Sequence, residues 1–193
     1  GDKPSVDALV AQVGEALVLK PRCGGSSVGL SICATRDEVT AAWPAISAGD
    51  SLAEERIVGR EVTVGVLGDR ALPVVEIVPQ SGTFDYAAKY TKGLTEYLAP
   101  APLPEAVAES LQADALKIYQ SCGCRDFARI DFMITADFDR FLLEINTLPG
   151  MKETSLLPMG AHCVGMDFTA LVAEMIAPAR QRWLRRQGKG ASP

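Results

Sequence analysis

The spacing of hydrophobic positions changes several times along this chain, and each change predicts an element. Pro4 to Gly14 carries apolar residues at helical intervals, with Ser5 placed to cap the helix. Ala16 to Lys20 is apolar almost throughout and reads as a buried-type strand. Gly24-Gly25-Ser26-Ser27-Val28-Gly29 is a small-residue loop that returns into a short strand at Leu30 to Cys33. Asp37 to Ile46 reads as a second helix, and Leu52 to Ile57 as a strand. Glu61 to Leu67 alternates, turns at Gly68-Asp69 and continues as Ala71 to Val78, which predicts a hairpin. Gln80 to Leu98 is polar, aromatic and glycine-containing, so a long loop is expected. Pro104 to Ser121 is a helix that opens at proline and stops at Gly123. Pro149 to Val164 is expected to be loop, and Asp167 to Arg186 the last helix. Helices mixed with antiparallel hairpins place the chain in the α+β class.

Between the last two helices lie two strand-like runs, Ala128 to Met133 and Leu142 to Gly150. The link between them, Asp137 to Arg140, is short and polar, so an antiparallel hairpin is expected. Side chains alternate faces along a strand. Arg129, Asp131 and Met133 therefore share one face, and Leu142, Glu144 and Asn146 share one face of the partner. A turn near Asp137-Phe138 sets Asp131 opposite Glu144 and Arg129 opposite Asn146. Two carboxylates directly across a ladder repel, so something positive should sit between them. Two carboxylates and an amide oxygen are hard ligands suited to Mg²⁺ carrying nucleotide phosphates; the alternative is a solvated face with chance acids.

Composition narrows the function classes. The chain has 193 residues, 48% of them hydrophobic, and a net charge of −5. No basic stripe crosses its body, which argues against nucleic acid as a partner. Arg180, Arg182, Arg185, Arg186 and Lys189 cluster at the C-terminal end, as expected of a helix end favoured by its dipole followed by a tail. No apolar run approaches the ~20 residues needed to span a bilayer, and Gly1-Asp2-Lys3-Pro4 shows no signal peptide. The five cysteines are odd in number and lack a C-x-x-C pair, so reduced thiols in a cytoplasmic protein are expected. His162 is the only histidine, which disfavours a Ser-His-Asp triad or a His-rich zinc site.

Several other residues have chemical potential. Lys20 ends a strand just before the glycine-rich loop, which either cradles phosphate oxygens with its N–H groups or is a plain turn. It is not a P-loop, because G-x-x-x-x-G-K-[ST] is missing and a strand follows. Glu54, Glu55 and Glu61 flank a strand-to-hairpin link and either bind an adenine amine and ribose hydroxyls or face water. Met133 and Leu142 either floor an apolar base pocket or pack in the core. Lys89-Tyr90 in the long loop either closes over phosphates or is exposed. Arg129 keeps its proton at any working pH and suits an anionic intermediate. The Gly150 N–H could complete an oxyanion hole, and Thr154-Ser155-Leu156 could hold a carboxylate.

These motifs together resemble the ATP-grasp fold, and within it the D-alanine–D-alanine ligase family. The matching segments are Leu19-Lys20-Pro21, Gly25 to Gly29, Glu54 with Gly59-Arg60-Glu61, Phe84 to Tyr90, Ala128 to Phe132, and Glu144 to Gly150, with Ser155-Leu156-Leu157-Pro158 after them. They occur in the family's order, from about Ala16 to Ala177. The resemblance implies two α+β lobes with antiparallel sheets that clamp a nucleotide: 1–61 the remainder of the small lobe, 62–180 the large lobe, and 181–193 a basic tail. It implies that ATP phosphorylates one D-alanine and that the amine of a second attacks the acylphosphate. Asp131, Glu144 and Asn146 would hold Mg²⁺, as two ions and with Mn²⁺ as a substitute. Lys20 and Lys89 would contact phosphates. Glu54, the backbone near Ile57, and Glu61 would take adenine and ribose, with Phe84 and Met133 against the base. Arg129 and the Gly150 N–H would stabilise the tetrahedral intermediate. Ser155 and Leu156 would bind the second substrate's carboxylate, and Ser26 and Tyr90 would close a lid.

In that family a Lys-Tyr pair such as Lys89-Tyr90 goes with an amine as second substrate, and so with D-alanine rather than D-lactate. The chain departs from the pattern at its start. The family's N-terminal domain and the first part of its small lobe have no counterpart in Gly1 to Gly14, so a fragment or expressed domain is expected. It should bind nucleotide weakly and not ligate alone. Arg56 stands where a larger apolar or aromatic residue is common. A homodimer is implied for the full-length form, in the cytoplasm. The competing expectations are an ATP-grasp ligase for other amino acids or small carboxylates, and a nucleotide-binding module without catalysis.

Overall fold

The computed structural model describes residues 3–23, 27–80, 91, 93–152 and 155–188. The chain forms two compact units, Gly1–Val58 with Pro79–Glu96, and Gly59–Val78 with Tyr97–Pro193. This grouping assigns 59–61 to the second unit and 79–96 to the first, where the sequence suggested 1–61 and 62–180.

The first unit holds helix α1 (Val6–Val13), strands β1 (Leu17–Pro21) and β2 (Ser31–Cys33), helix α2 (Arg36–Ile46) and strand β3 (Ser51–Glu55). Ser5 caps α1 by accepting from the Ala8 N–H at 3.2 Å, as its sequence position predicts. Thr35 caps α2 in the same way from Glu38, whose carboxylate reaches back to the Ala34 N–H. The three strands form one antiparallel sheet, ordered β2-β1-β3. Strand alternation sends Leu17 and Leu19 to one face, where they pack with Leu9, Cys33 and Val39 in the core beneath the helices. Among the described residues the opposite face has no helix from this unit's core cluster, and it carries Val18, Lys20, Ile32, Leu52 and Glu54.

The second unit is built on a six-stranded sheet. Its strands are β4 (Arg60–Leu67), β5 (Arg70–Ala71), β6 (Val75–Pro79), β7 (Thr95–Leu98), β8 (Phe127–Ile134) and β9 (Arg140–Asn146), and its helices α3 (Glu105–Ser121), α4 (Leu156–His162) and α5 (Phe168–Arg186). The strand order is β7-β6-β4-β8-β9, with β5 paired to β4. Val62, Val64 and Val66 of β4 and Ala128, Ile130, Phe132 and Ile134 of β8 are buried against Leu111, Ala115 and Tyr119 of α3. The other face carries the polar alternates. Its Gly65 end is covered by Leu157 of α4: a Cβ on Gly65 would lie 2.5 Å from Leu157 Cδ1 and 2.9 Å from Leu72 Cδ1. Leu67, Leu72, Leu157, Ala161, Leu171 and Met175 complete this second core.

Three expectations need correction. Residues 95–98 of the expected Gln80–Leu98 loop form the edge strand β7; a four-residue segment shows too little alternation to be recognised without its ladder partner. Part of the expected Pro149–Val164 loop is helix α4. Pro158 and Gly160 disfavour a helix on propensity, but Pro158 lies in the first turn, where its missing N–H has no intrahelical partner to lose. Gly160 is buried with Leu157 and Ala161 and lies close against Leu72 and Pro73. Third, the expected Ala71–Val78 strand is interrupted, at 72–74, into β5 and β6. The last helix lies where the sequence places it, as α5, so residues 181–186 of the expected 181–193 tail are its last turns. Among the described residues no helix is long and apolar enough to cross a membrane.

Candidate active site

The β8–β9 hairpin has the register that the alternation predicts. Arg129 is opposite Asn146, and Asp131 opposite Glu144. On its other side β8 pairs with β4, which sets Gly65 beside Arg129, Thr63 beside Asp131 and Glu61 beside Met133. One sheet face thus presents Glu61, Thr63, Arg129, Asp131, Met133, Glu144 and Asn146. The turn is closed by Thr135, which donates to the Asp139 carbonyl and accepts from Asp139 through its hydroxyl. Phe138 takes a left-handed φ of 63° there.

The ladder shifts by one residue between Asp131 and Phe132, so that Phe132 pairs with Leu142 and Leu143 is extra. This bulge corrects the expected base-pocket floor. Beyond it Phe141, not Leu142, faces Met133. Leu142 falls on the face of Phe132.

The positive group that two facing carboxylates require is supplied by the chain itself. Arg129 donates through Nε to Asp131 Oδ1 at 2.9 Å and through Nη2 to Asp131 Oδ2 at 2.7 Å. The same Nη2 lies 3.6 Å from Glu144 Oε1. The Thr63 hydroxyl also donates to Asp131 Oδ1. Only 14% of the Arg129 side chain and 7% of the Asp131 side chain are exposed, against 58% for Glu144. Burial works against the Arg129 charge, but the hydrogen bonds it donates to Asp131 and the charges of Asp131, Glu144 and Glu61 outweigh it, so its pKa is raised.

Oxygen donors on this face fit a hard divalent cation. Asp131 Oδ2 keeps accepting capacity beside its single arginine contact, Glu144 is exposed, and Asn146 adds an amide oxygen that also accepts the Leu148 N–H at 3.2 Å. Among the described residues no three His, Cys, Asp or Glu side chains gather as a metal cage. A set of two carboxylates and an amide suits a cation that shares its coordination with phosphate oxygens and water.

Near the Arg129 end the chain folds Gly150 back toward Ser155: a Cβ on Gly150 would lie 3.0 Å from the Ser155 hydroxyl. That hydroxyl accepts the Lys152 N–H at 3.1 Å, and Leu156 follows it into α4.

In the first unit Lys20 and Glu54 share the face away from the helices. They form an ion pair of 2.5 Å. Val18, Ile32 and Leu52 surround them, the last two exposed. The result is an apolar platform with one cation and one carboxylate, suited to a flat heteroaromatic group. Arg56 continues the ladder by donating to the Ala16 carbonyl at 3.0 Å, and Ile57 follows it, half-buried. Ser26, Phe84, Lys89 and Tyr90 lie outside the described residues. Thr63 and Phe141 were not singled out from the sequence. Thr63 stands two residues from Glu61 in an alternating strand, so its face was legible, but its neighbour Asp131 was not.

Comparison with known proteins adds family information to this geometry. A family model described as D-ala D-ala ligase C-terminus matches residues 2–177. A D-alanine–D-alanine ligase from Syntrophotalea carbinolica is 47% identical over 168 residues, covering 86% of this chain and 55% of that protein. A solved D-alanine–D-alanine ligase from Bacillus anthracis complexed with ATP matches with a TM-score of 0.76 and 26% identity, over 96% of this chain and 59% of its own. A solved D-Ala:D-Ser ligase from Enterococcus faecalis matches with a TM-score of 0.77 and 30% identity, over 89% of this chain and 51% of its own. The chain therefore spans little more than half the length of these relatives.

Proposed function

The chain belongs to the D-ala D-ala ligase C-terminus family, and from that premise we propose that it carries the ATP- and metal-binding part of a ligase joining two D-alanines. The observation that carries the reading is the single sheet face on which Arg129, Asp131, Glu144 and Asn146 stand in register. In the reaction a carboxylate oxygen of one D-alanine attacks the γ-phosphorus of ATP, and the bond to the ADP oxygen breaks. The amine of a second D-alanine then attacks the acylphosphate carbonyl. Inorganic phosphate leaves with the electron pair of the broken C–O bond, and the amine loses a proton.

Each residue has a part. In the first unit Lys20 contacts phosphate, and Glu54 and the Ile57 backbone take the adenine amine. Glu61 holds ribose, and Met133 lies against the base, with Phe141 opposite it as a further apolar surface. Arg129 and the Gly150 N–H face the charge that develops on the tetrahedral carbon's oxygen. Ser155 and Leu156 bind the second carboxylate. Asp131, Glu144 and Asn146 hold Mg²⁺, which neutralises phosphate charge when bound. The same reading gives Lys89, Phe84, Ser26 and Tyr90 to phosphate, base and lid. The product would serve peptidoglycan precursor synthesis in the cytoplasm, by a homodimer in the full-length form.

Calorimetric titration of this chain with ATP and Mg²⁺, beside Glu144→Gln, tests the reading. Saturable, Mg²⁺-dependent binding that the substitution weakens is expected; Mg²⁺-independent binding of equal strength in both would overturn the metal assignment. The 30% identity to a D-Ala:D-Ser ligase favours D-serine as the second reading for the amine. Phosphate release by the full-length form with D-alanine alone, against D-alanine plus D-serine, separates the two.

A further inference from the structure

We propose that Thr63 is a positioning residue for this cation site, fixing which oxygen of Asp131 is offered to the metal. The proposal rests on the reading of Asp131 and Glu144 as metal ligands. A carboxylate has two oxygens and about four lone-pair sites, and a metal at such a site needs one of them held ready. Asp131 stands between two strands that treat its oxygens differently. On the β4 side Thr63 is its ladder partner, and the hydroxyl donates to Oδ1. Arg129 Nε donates to the same oxygen at 2.9 Å. On the β9 side stands Glu144. There Oδ2 accepts from Arg129 Nη2 at 2.7 Å, and this Nη2 is the atom 3.6 Å from Glu144 Oε1. Oδ1 therefore carries two protein donors and Oδ2 only one, a donor that Oδ2 shares with Glu144.

Arginine alone does not fix that choice. A guanidinium fork bonds both oxygens and stays bonded if the carboxylate and fork swing together. The hydroxyl on the neighbouring strand supplies a third point outside the fork. Thr63 is 1% exposed, so water does not readily replace the hydroxyl if it is removed. Its Oγ1 also lies 3.2 Å from the Ile130 carbonyl, the alternative acceptor for its single proton. Groups that orient metal ligands are commonly worth about ten- to a hundredfold in metal affinity.

The test measures Mn²⁺ binding to the 193-residue chain by loss of the free-ion electron paramagnetic resonance signal. Wild type is compared with Thr63→Val, Thr63→Ser and Glu144→Gln, and each variant is checked by thermal melting. Thr63→Val keeps the shape and removes the hydroxyl; it should weaken Mn²⁺ about tenfold or more. Thr63→Ser restores the donor and should restore affinity. A Thr63→Val chain that binds Mn²⁺ like wild type, while Glu144→Gln does not, overturns the role of Thr63 and leaves the metal site standing. Equal weakening by Thr63→Val and Thr63→Ser overturns it too, because packing rather than the hydroxyl would be at work. Mn²⁺ binding that is missing in wild type, or untouched by Glu144→Gln, overturns the metal reading and the role of Thr63 with it. If Thr63→Val does not fold, Thr63→Ala set beside Thr63→Ser makes the same comparison.

Discussion

Lys20 and Glu54 keep 27% and 45% of their side chains in contact with solvent, while Arg129 and Asp131 keep 14% and 7%. Both pairs lie on the sheet face opposite the main core cluster, each in its own unit. The difference comes from what stands around them. The first sheet has three short strands, and Ile32 and Leu52 beside its pair are themselves exposed. The second pair lies on an inner strand, flanked by β4 and β9, with Leu157 closing over Gly65 at the Arg129 end. An exposed pair can trade its partner for water or a ligand at little cost. A covered pair must keep its partner or leave a buried charge alone. The open pair is therefore suited to exchange and the covered pair to holding a fixed geometry.

The largest effect should follow removal of the covered cation. Arg129→Met strands Asp131 next to Glu144 and should cost about 3–5 kcal/mol of stability, measured by urea denaturation. A loss below 1 kcal/mol would mean the two pairs are alike after all. Next comes the shelter itself. Gly65→Ala drives a methyl group against Leu157 and Leu72 and should cost about 1–3 kcal/mol, since both obstacles are side-chain tips able to give. The same urea series reads it.

A third pair sharpens the comparison through pH. Asp126 is held by Arg182 of α5, whose side chain is 33% exposed. That hydrogen bond is the main reason the Asp126 pKa is lowered. A carboxylate whose folded pKa lies below its unfolded value of about 3.9 stabilises above that value and loses the contribution as pH falls through the folded pKa. Asp126→Asn should therefore be less stable than wild type at pH 6, with the gap closing below about pH 4. A gap of constant size across that range would show that charge is not the cause. The smallest effect is expected at the open pair: Lys20→Met should cost about 0.2–1 kcal/mol, and less in high salt.

How much of this was legible depends on how far apart the partners are in sequence. Arg129, Asp131, Glu144 and Asn146 were placed correctly because one short turn and strict alternation determine a hairpin. The pairing of Thr63 with Asp131 joins strands 68 residues apart, and nothing in either strand's pattern names the other. The same holds for Lys20 and Glu54: each was recognised as polar at a strand, but their meeting requires β1 and β3 to be neighbours. Helix α4 was missed because Pro158 and Gly160 report local preference, whereas the helix is held by Leu157 and Ala161 against the sheet. The bulge at Leu143 left no mark either, since an extra apolar residue in an apolar strand changes no pattern until its partner is known.

That single unmatched residue makes β9 a strand with two independent phases. From Glu144 onward the phase is locked to the carboxylates and the arginine. Before it, Phe141 and Arg140 follow a phase of their own, set by the turn. Sequence change at Phe141 can reshape the surface beside Met133 without moving Glu144 or Asn146. Deleting Leu143 would remove the bulge and leave one regular ladder, with Leu142 still opposite Phe132 and Phe141 still opposite Met133. A one-residue insertion thus gives the hairpin modularity: the end proposed to meet the base and the end that carries charge keep separate phases on one strand.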